Sequence, residues 1–347
     1  MSQESSGAAV GSPTSVLRRG VSAAVQIAIA LYGLGTIGYL AARAAVGEQW
    51  RAVAWANNFV LWMSAAALGM AIAALLFRRR WLLVALQVPM LAAFGVLFGG
   101  LLMPHNSGAV AAAAEFRVAA YNMHSQDSDP AQVVQTVLAL DADIVGLNEV
   151  GYEHADQLEA ATKAGYPYQI WYPQPTVHGV ALISRYPILD QEMYEPVEPA
   201  NLHLRVVLDV DGTPVTVFVA HPPSPTSPFF PLGYEDGPRN VELADLRARI
   251  EAETGPVMVL CDCNMSDQSD PYRSMDDLLD DSFREAGRGF GLTFPYGRTF
   301  LPPLVRIDYI WISGDFTALD AHPAGSNGTS DHRPIIADLA LHDAAGS

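Results

Sequence analysis

The sequence predicts an α+β or α/β sandwich with buried sheets, preceded by three transmembrane helices. Three observations lead there. Uncharged apolar runs crowd the first 103 residues. From about Glu115 the pattern changes to short apolar strands separated by turns and two or three helices. Those strands are near-continuous apolar runs, as in sheets covered on both faces.

Residues 1–20, rich in Ser and Gly, read as a disordered cytoplasmic tail. Val21–Ala42, Ala52–Phe77 and Trp81–Met103 follow as uncharged stretches. Each can cross a hydrocarbon core of about 30 Å at about 1.5 Å per residue. The first is too long for an ordinary signal-peptide core and reads as an anchor. Arg18 and Arg19 precede the first run, and Arg78, Arg79 and Arg80 separate the second from the third. These lie on one side of a three-span hairpin. The opposite loop holds Arg43, Glu48 and Arg51. The arginine excess makes the first side cytoplasmic and everything after Met103 extracytoplasmic. Pro104–Glu115 reads as a linker, 116–341 as one domain and 342–347 as a tail.

Charge is uneven along the chain. After Met103 there are 13 Lys and Arg against 35 Asp and Glu. Such a domain repels long polyanions unless it carries a basic groove or metal ions, which disfavours nucleic acid as a partner.

Within the domain, "FRVAAYNM" is a strand and "DPAQVVQTVLAL" a helix, with Asp129 as N-cap and Pro130 at its first position. "DIVGLNEV", "GVALISRYPI" and "LRVVLDVDGTPVTVFVAH" are strands, the last divided by a turn at Asp211–Pro214. "GPRNVELADLRARIEA" is an amphipathic helix. "VMVLCDCNMS", "RIDYIWIS" and "HRPIIADLAL" complete the strands.

These strands end alike, in a carboxylate, amide or imidazole. Asn122, Glu149, His221, Asp262 with Asn264, Asp308, and Asp331 with His332 all occupy such places. A rigid sheet can converge strand ends on one site. The residue types suit phosphoester hydrolysis. Glu149, Asn122 and Asp331 offer oxygen to a hard cation such as Mg2+ or Mn2+. Asp262, with Asn264 two residues on, is a candidate base for water. His221 and His332 can donate to phosphate, and Asp308 can fix the tautomer of His332. Arg239 near a helix start and His178 at a strand start are candidate substrate contacts. Phe229 and Phe230, in the Pro-rich loop after His221, could pack on the domain, line a pocket or dip into a bilayer.

The ordered set "YNM", "LNEV", "GVALISRYPI", "VAHPPSP", "CDCN", "RIDYIW" and "SDHRPI" resembles the endonuclease/exonuclease/phosphatase superfamily, the deoxyribonuclease-I-like fold. It covers Phe116 to Leu341. The resemblance implies a four-layer α/β sandwich, two packed sheets flanked by helices, and a divalent-metal phosphoesterase. It implies that Asn122 and Glu149 belong to the metal site, that Asp262 orients or deprotonates water, and that Asn264 and His221 contact phosphate. It also pairs Asp308 with His332 and places Asp331 near metal and water. "HPPSPTSPFFPLGYEDGPRNVELADL" further resembles the membrane-anchored bacterial branch. Three positions depart from the pattern: Cys261 where glycine is usual, Asn148 where glutamine often stands, and His124 where some DNA-cleaving members have aspartate.

Three functions follow as expectations. The first is a membrane-anchored, extracytoplasmic phosphoesterase acting on a small or lipid-linked phosphoester. The others are a nuclease of the same fold and an inactive anchored binding module. Cys261 and Cys263 are the only cysteines. Read as strand residues i and i+2, they suit neither a disulfide nor a chelate and are expected to pack the core as free thiols.

Overall fold

The structure, a computed structural model, describes residues 13–103, 112–196, 201–228, 230–297 and 302–342. The chain divides into two compact units. One comprises Met1–Gly47 and Val60–Leu97, the other Glu48–Phe59 and Phe98–Ser347.

The helical segments are α1 (Pro13–Val46), α2 (Arg51–Asn57), α3 (Val60–Ala74), α4 (Arg80–Ala85) and α5 (Val88–Phe98). Pro89 has no N–H to offer a carbonyl one turn back. It ends α4 and fits the first turn of α5. Gly20–Gln49 and Arg80–Phe98 are long and apolar enough to cross a membrane. Among the described residues, a third span arises only if α2 and α3 are counted together across a bend. The run expected as one helix, Ala52–Phe77, is therefore broken. The cause is Asn57-Asn58. The Asn57 amide donates to Glu48 Oε1 at 2.6 Å, and that of Asn58 to Tyr234 Oη at 3.3 Å. Helix α2 thus belongs with the second unit, and the expected tail 1–20 is already helical from Pro13.

The second unit holds two six-stranded sheets. The first has the order β11-β12-β1-β2-β4-β3, where β1 is Ala112–Asn122, β2 Ile144–Asn148, β3 Tyr168–Tyr172, β4 Val180–Ser184, β11 Phe316–Pro323 and β12 Ile335–His342. The second has the order β5-β6-β7-β8-β10-β9. Its strands are β5 (Ile188–Tyr194), β6 (His203–Val210), β7 (Thr213–Ala220), β8 (Val257–Asp262), β9 (Asp280–Asp281) and β10 (Asp308–Ile312). Each sheet has one parallel pair, β1 with β2 and β7 with β8. Helices α6 (Pro130–Leu140) and α7 (Tyr152–Thr162) bury Val133, Val137 and Leu158 against the first sheet. Helices α8 (Gly237–Ala252) and α9 (Asp270–Asp276) bury Leu243, Leu246 and Tyr272 against the second. Two sheets between two helical layers make the four-layer sandwich the sequence predicts. A short α10 (Ser282–Ala286) follows β9.

Local chemistry explains the boundaries. Asp129 caps α6, accepting from the amides of Ala131 and Gln132. Asp211 and Gly212, with φ of 51° and 92°, turn β6 into β7. Strand β1 begins four residues before Phe116, inside the expected linker; residues 104–111, 343–347 and Phe229 lie outside the described ones.

The sheets touch where Gly146 of β2 faces β8. A Cβ there would stand 2.8 Å from Leu260 Cβ and 3.2 Å from Val219 Cγ1. Gly146→Val is expected to destabilise the fold by about 1–3 kcal/mol through overpacking. A thermal unfolding curve checks this, and an unchanged midpoint would show that the sheets part freely there.

The cysteines correct the expectation. Cys261 and Cys263 do pack in the core beside Val257 and Val259, but they are joined as a disulfide. Their Cα atoms are 5.2 Å apart, against about 6.6 Å for two residues along a strand. Strand β8 ends at Asp262, so Cys263 has already left the extended geometry.

Candidate active site

Both parallel pairs point their carboxyl ends at one place. Asn122 ends β1 and Glu149 follows β2 in the first sheet. His221 follows β7 and Asp262 ends β8 in the second. Asn122 bridges the two sheets. Its Nδ2 donates to Glu149 Oε1 at 2.9 Å and to Asp262 Oδ2 at 2.8 Å, while its Oδ1 accepts from the His124 amide at 2.9 Å. Asn148 adds a second bridge, its Oδ1 accepting from the Asp262 amide at 3.3 Å.

Asp262 is the hub. It is 1% exposed, and its Oδ2 lies 3.6 Å from His221 Nε2 and 3.7 Å from His332 Nε2. Its Oδ1 accepts from the Asn264 amide at 3.1 Å. Burial pushes Asp262 above the usual carboxylate range, and Asp308 adds to the shift against the two histidines. That suits a group that must take a proton near neutrality.

His332 donates Nδ1–H to Asp308, at 3.0 Å from Oδ2 and 3.2 Å from Oδ1. This leaves Nε2 facing Asp262. Burial alone would lower the imidazole, but Asp308 and then Asp262 outweigh it and hold His332 protonated above its ordinary range. The backbone around it is fixed by Ser330, whose Oγ accepts from the His332 amide and donates to Asn122 O. Asp331 and His332 precede β12 by a short turn rather than beginning it.

Sequence reasoning missed Asn201. Its amide donates to His221 O and approaches His221 Nδ1 at 3.3 Å, so Nδ1 accepts and Nε2 carries the proton toward the carboxylates. Asn201 sits in a loop before β6 with no strand-end signal to mark it.

His124 also proves part of the site. Its Nδ1 lies 3.2 Å from Glu149 Oε2 and 3.4 Å from Asp331 Oδ1. Glu149 holds the imidazole above its ordinary range. Burial would raise Glu149, but His124, His221 and Asn122 draw it down to about 2. His124, Glu149 and Asn264 have φ of 46°, 54° and 48°. Three non-glycine residues in the left-handed region at one site mark stored backbone strain.

The donor set fits a hard cation. Two carboxylate oxygens, from Glu149 and Asp331, converge on a single nitrogen, His124 Nδ1. Such oxygen pairs suit Mg2+ or Mn2+. Asp262, Asp308 and His332 also cluster closely enough to hold an ion. There the imidazole is protonated and already bonded to Asp308, so that trio reads as a proton-handling set.

Three candidates remain, Asn264, Arg239 and His178. Asn264 stands past the end of β8 rather than on its face, and its Nδ2 donates to Pro222 O at 3.0 Å. Arg239 is 2% exposed, pairs with Asp236 at 2.8 Å and donates to Asn264 O at 2.9 Å. It braces the loop that carries Asn264. His178 is partly buried, and its carbonyl accepts from Leu202 next to Asn201. His154 and His203 are buried beside Ser128 and Glu242.

The endonuclease/exonuclease/phosphatase family model matches residues 119–332, a span that contains every residue of this cluster. The chain belongs to that family. No curated protein matches it. Among solved structures, it is similar to an endonuclease/exonuclease/phosphatase from Bacteroides vulgatus, with 21% identity and a TM-score of 0.53 over 66% of this chain and 100% of that one. Sphingomyelinase C from Streptomyces griseocarneus matches with 21% identity and a TM-score of 0.52, over 65% and 99% of the two chains. TDP2 from C. elegans matches with 16% identity and a TM-score of 0.54, over 68% and 78%. At these identities the likeness establishes the shared fold. The family's hydrolases act on phosphoester bonds.

Proposed function

We propose that this chain is a divalent-metal-dependent phosphoesterase, anchored by its apolar helices with the second unit outside the cytoplasm. The arginine distribution supports that orientation. The observation that carries the chemistry is the position of Asp262, buried between two imidazoles and bridged to Glu149 through Asn122.

In this reading Asp262 accepts a proton from water as the water oxygen bonds to phosphorus and the bond to the leaving oxygen breaks. His332, protonated and oriented by Asp308, donates to a phosphoryl oxygen where charge grows. His221, held by Asn201, does the same through Nε2. Glu149 and Asp331 would hold Mg2+ or Mn2+, which supplies positive charge to the phosphoryl group. Asn122 fixes both carboxylates at once.

The substrate is proposed to be a small or lipid-linked phosphoester. The excess of acid over base in the second unit opposes a long polyanion. A sphingomyelinase C among the solved neighbours is consistent with a lipid substrate. The test is an activity screen of the full chain with Mg2+ or Mn2+ against phospholipids, sugar and inositol phosphates, and plasmid and single-stranded DNA. Turnover of small or lipid phosphoesters without DNA cleavage is expected. Efficient DNA cleavage at low enzyme concentration would overturn the substrate assignment in favour of a nuclease.

A further inference from the structure

Segment 48–59 joins α1 to α3 in the chain, yet it is built into the second unit. The Glu48 amide donates to Asp270 Oδ2 at 3.0 Å, and Arg51 pairs with Glu235. Ser266 Oγ donates to Asn57 O at 3.3 Å, and Asn58 Nδ2 to Tyr234 Oη at 3.3 Å. Ser266 is two residues beyond Asn264, so the segment grips the loop that leaves the catalytic strand β8.

It also lines a crevice of about 40 Å³. The apolar lining comes from Phe59, Pro225, Pro228, Phe294, Val305 and Ile307. Among the described residues no lining side chain is charged, in a unit whose composition is strongly acidic. Two of its lining residues touch the catalytic cluster. Its Phe294 ring lies 4.7 Å from the His332 ring, and its Asn264 is bonded to Asp262. A larger groove of about 470 Å³ along α8 and α9 has none of the catalytic residues in its lining.

We propose that segment 48–59 completes a subsite for an apolar substituent of the phosphoester, with Phe59 as a specificity-determining residue. This rests on the phosphoesterase reading above. An alkyl or acyl-bearing group entering the crevice would place its phosphorus beside His332 and Asp262. A compact polar ester would gain nothing there. The interhelical segment is then a part of the enzyme as well as a tether.

The test compares p-nitrophenyl hexyl phosphate with p-nitrophenyl methyl phosphate, using the full chain in nanodiscs. Burying several extra methylenes should favour the hexyl ester in kcat/KM by roughly tenfold or more. Phe59→Ser and Ser224→Trp are each expected to collapse that ratio. Ser224 is exposed and lines the crevice, so the bulky change fills the space without burdening the core. A wild-type ratio near unity, or variants that keep the wild-type ratio, would overturn the subsite. Binding of hexylphosphonate against methylphosphonate, read by calorimetry against empty discs, reports the subsite without turnover. A hexyl preference lost in both variants supports the subsite even where neither ester is hydrolysed, a result that would sink the phosphoesterase reading alone. Turnover of both esters with no hexyl preference in either assay would sink the subsite alone.

Discussion

Asp262→Asn is expected to lower kcat by about 100- to 10,000-fold, the range associated with losing a general base. The asparagine keeps the shape of the aspartate, so it removes proton acceptance without opening a cavity, and the unfolding curve reads the cost of the altered hydrogen bonds. The chain should still fold cooperatively, with a lowered thermal midpoint, because the new amide NH2 must face one of the two donors the carboxylate accepts from, the Asn264 N–H or Asn122 Nδ2. KM should move little, since the carboxylate acts on the water. The measurement is kcat and KM with whichever phosphoester the screen selects, alongside an unfolding curve. Wild-type turnover in the variant would refute the assignment of Asp262. His332→Ala provides a second arm, because its imidazole faces the same carboxylate oxygen from 3.7 Å.

Chelation is the second large effect. Removing divalent metal is expected to cut activity by about 1000-fold or more, since metal charge stabilisation is worth several kcal/mol. Added Mg2+ or Mn2+ should restore it. Glu149→Gln keeps the hydrogen bond from Asn122 possible through its carbonyl but removes a charge that faces His124. It is expected to raise the metal concentration for half-maximal activity by at least about tenfold, in the range that perturbing a metal site produces. Undiminished hydrolysis in chelator would show that the Glu149–Asp331 pair serves another purpose.

Much of the second unit is legible from sequence because buried strands leave a strong signal. Strands β1, β2, β7 and β8 are apolar runs that stop at polar residues, β10 begins at one, and those residues meet in space. The edges are harder to read. Strand β5 reads ILDQEMY and exposes most of its residues, so it has no apolar period to detect. Strand β3 is a short run of aromatics with Gln and Ile, and α7 is polar on most of its surface. Both take their form from neighbours rather than from local pattern.

The site divides the same way. Asp262, Asp308 and His332 announce themselves at strand boundaries. Asn201 does not, because its contact with His221 comes from a loop with no periodicity. Arg239, a candidate substrate contact from its helix-start position, is buried and pairs with Asp236. The disulfide was hidden because alternation along β8 was extended one residue past its end. Asn57 and Asn58 were visible as polar residues in an apolar run, but their partners, Glu48 and Tyr234, are distant in role or in sequence.

Asn122 has a consequence for the whole sandwich. It is one side chain with one hydrogen bond to each sheet's carboxylate, so it spans the seam between two separately hydrogen-bonded sheets. A slip of either sheet by about 1 Å would lengthen one of those bonds, and displacements of that size at a reacting centre cost about 100-fold in rate. Catalysis should then act as a gauge of alignment across the seam. Substitutions packed between the sheets, at Gly146 or Leu260, would dim the enzyme while every catalytic group is intact and the chain is still folded.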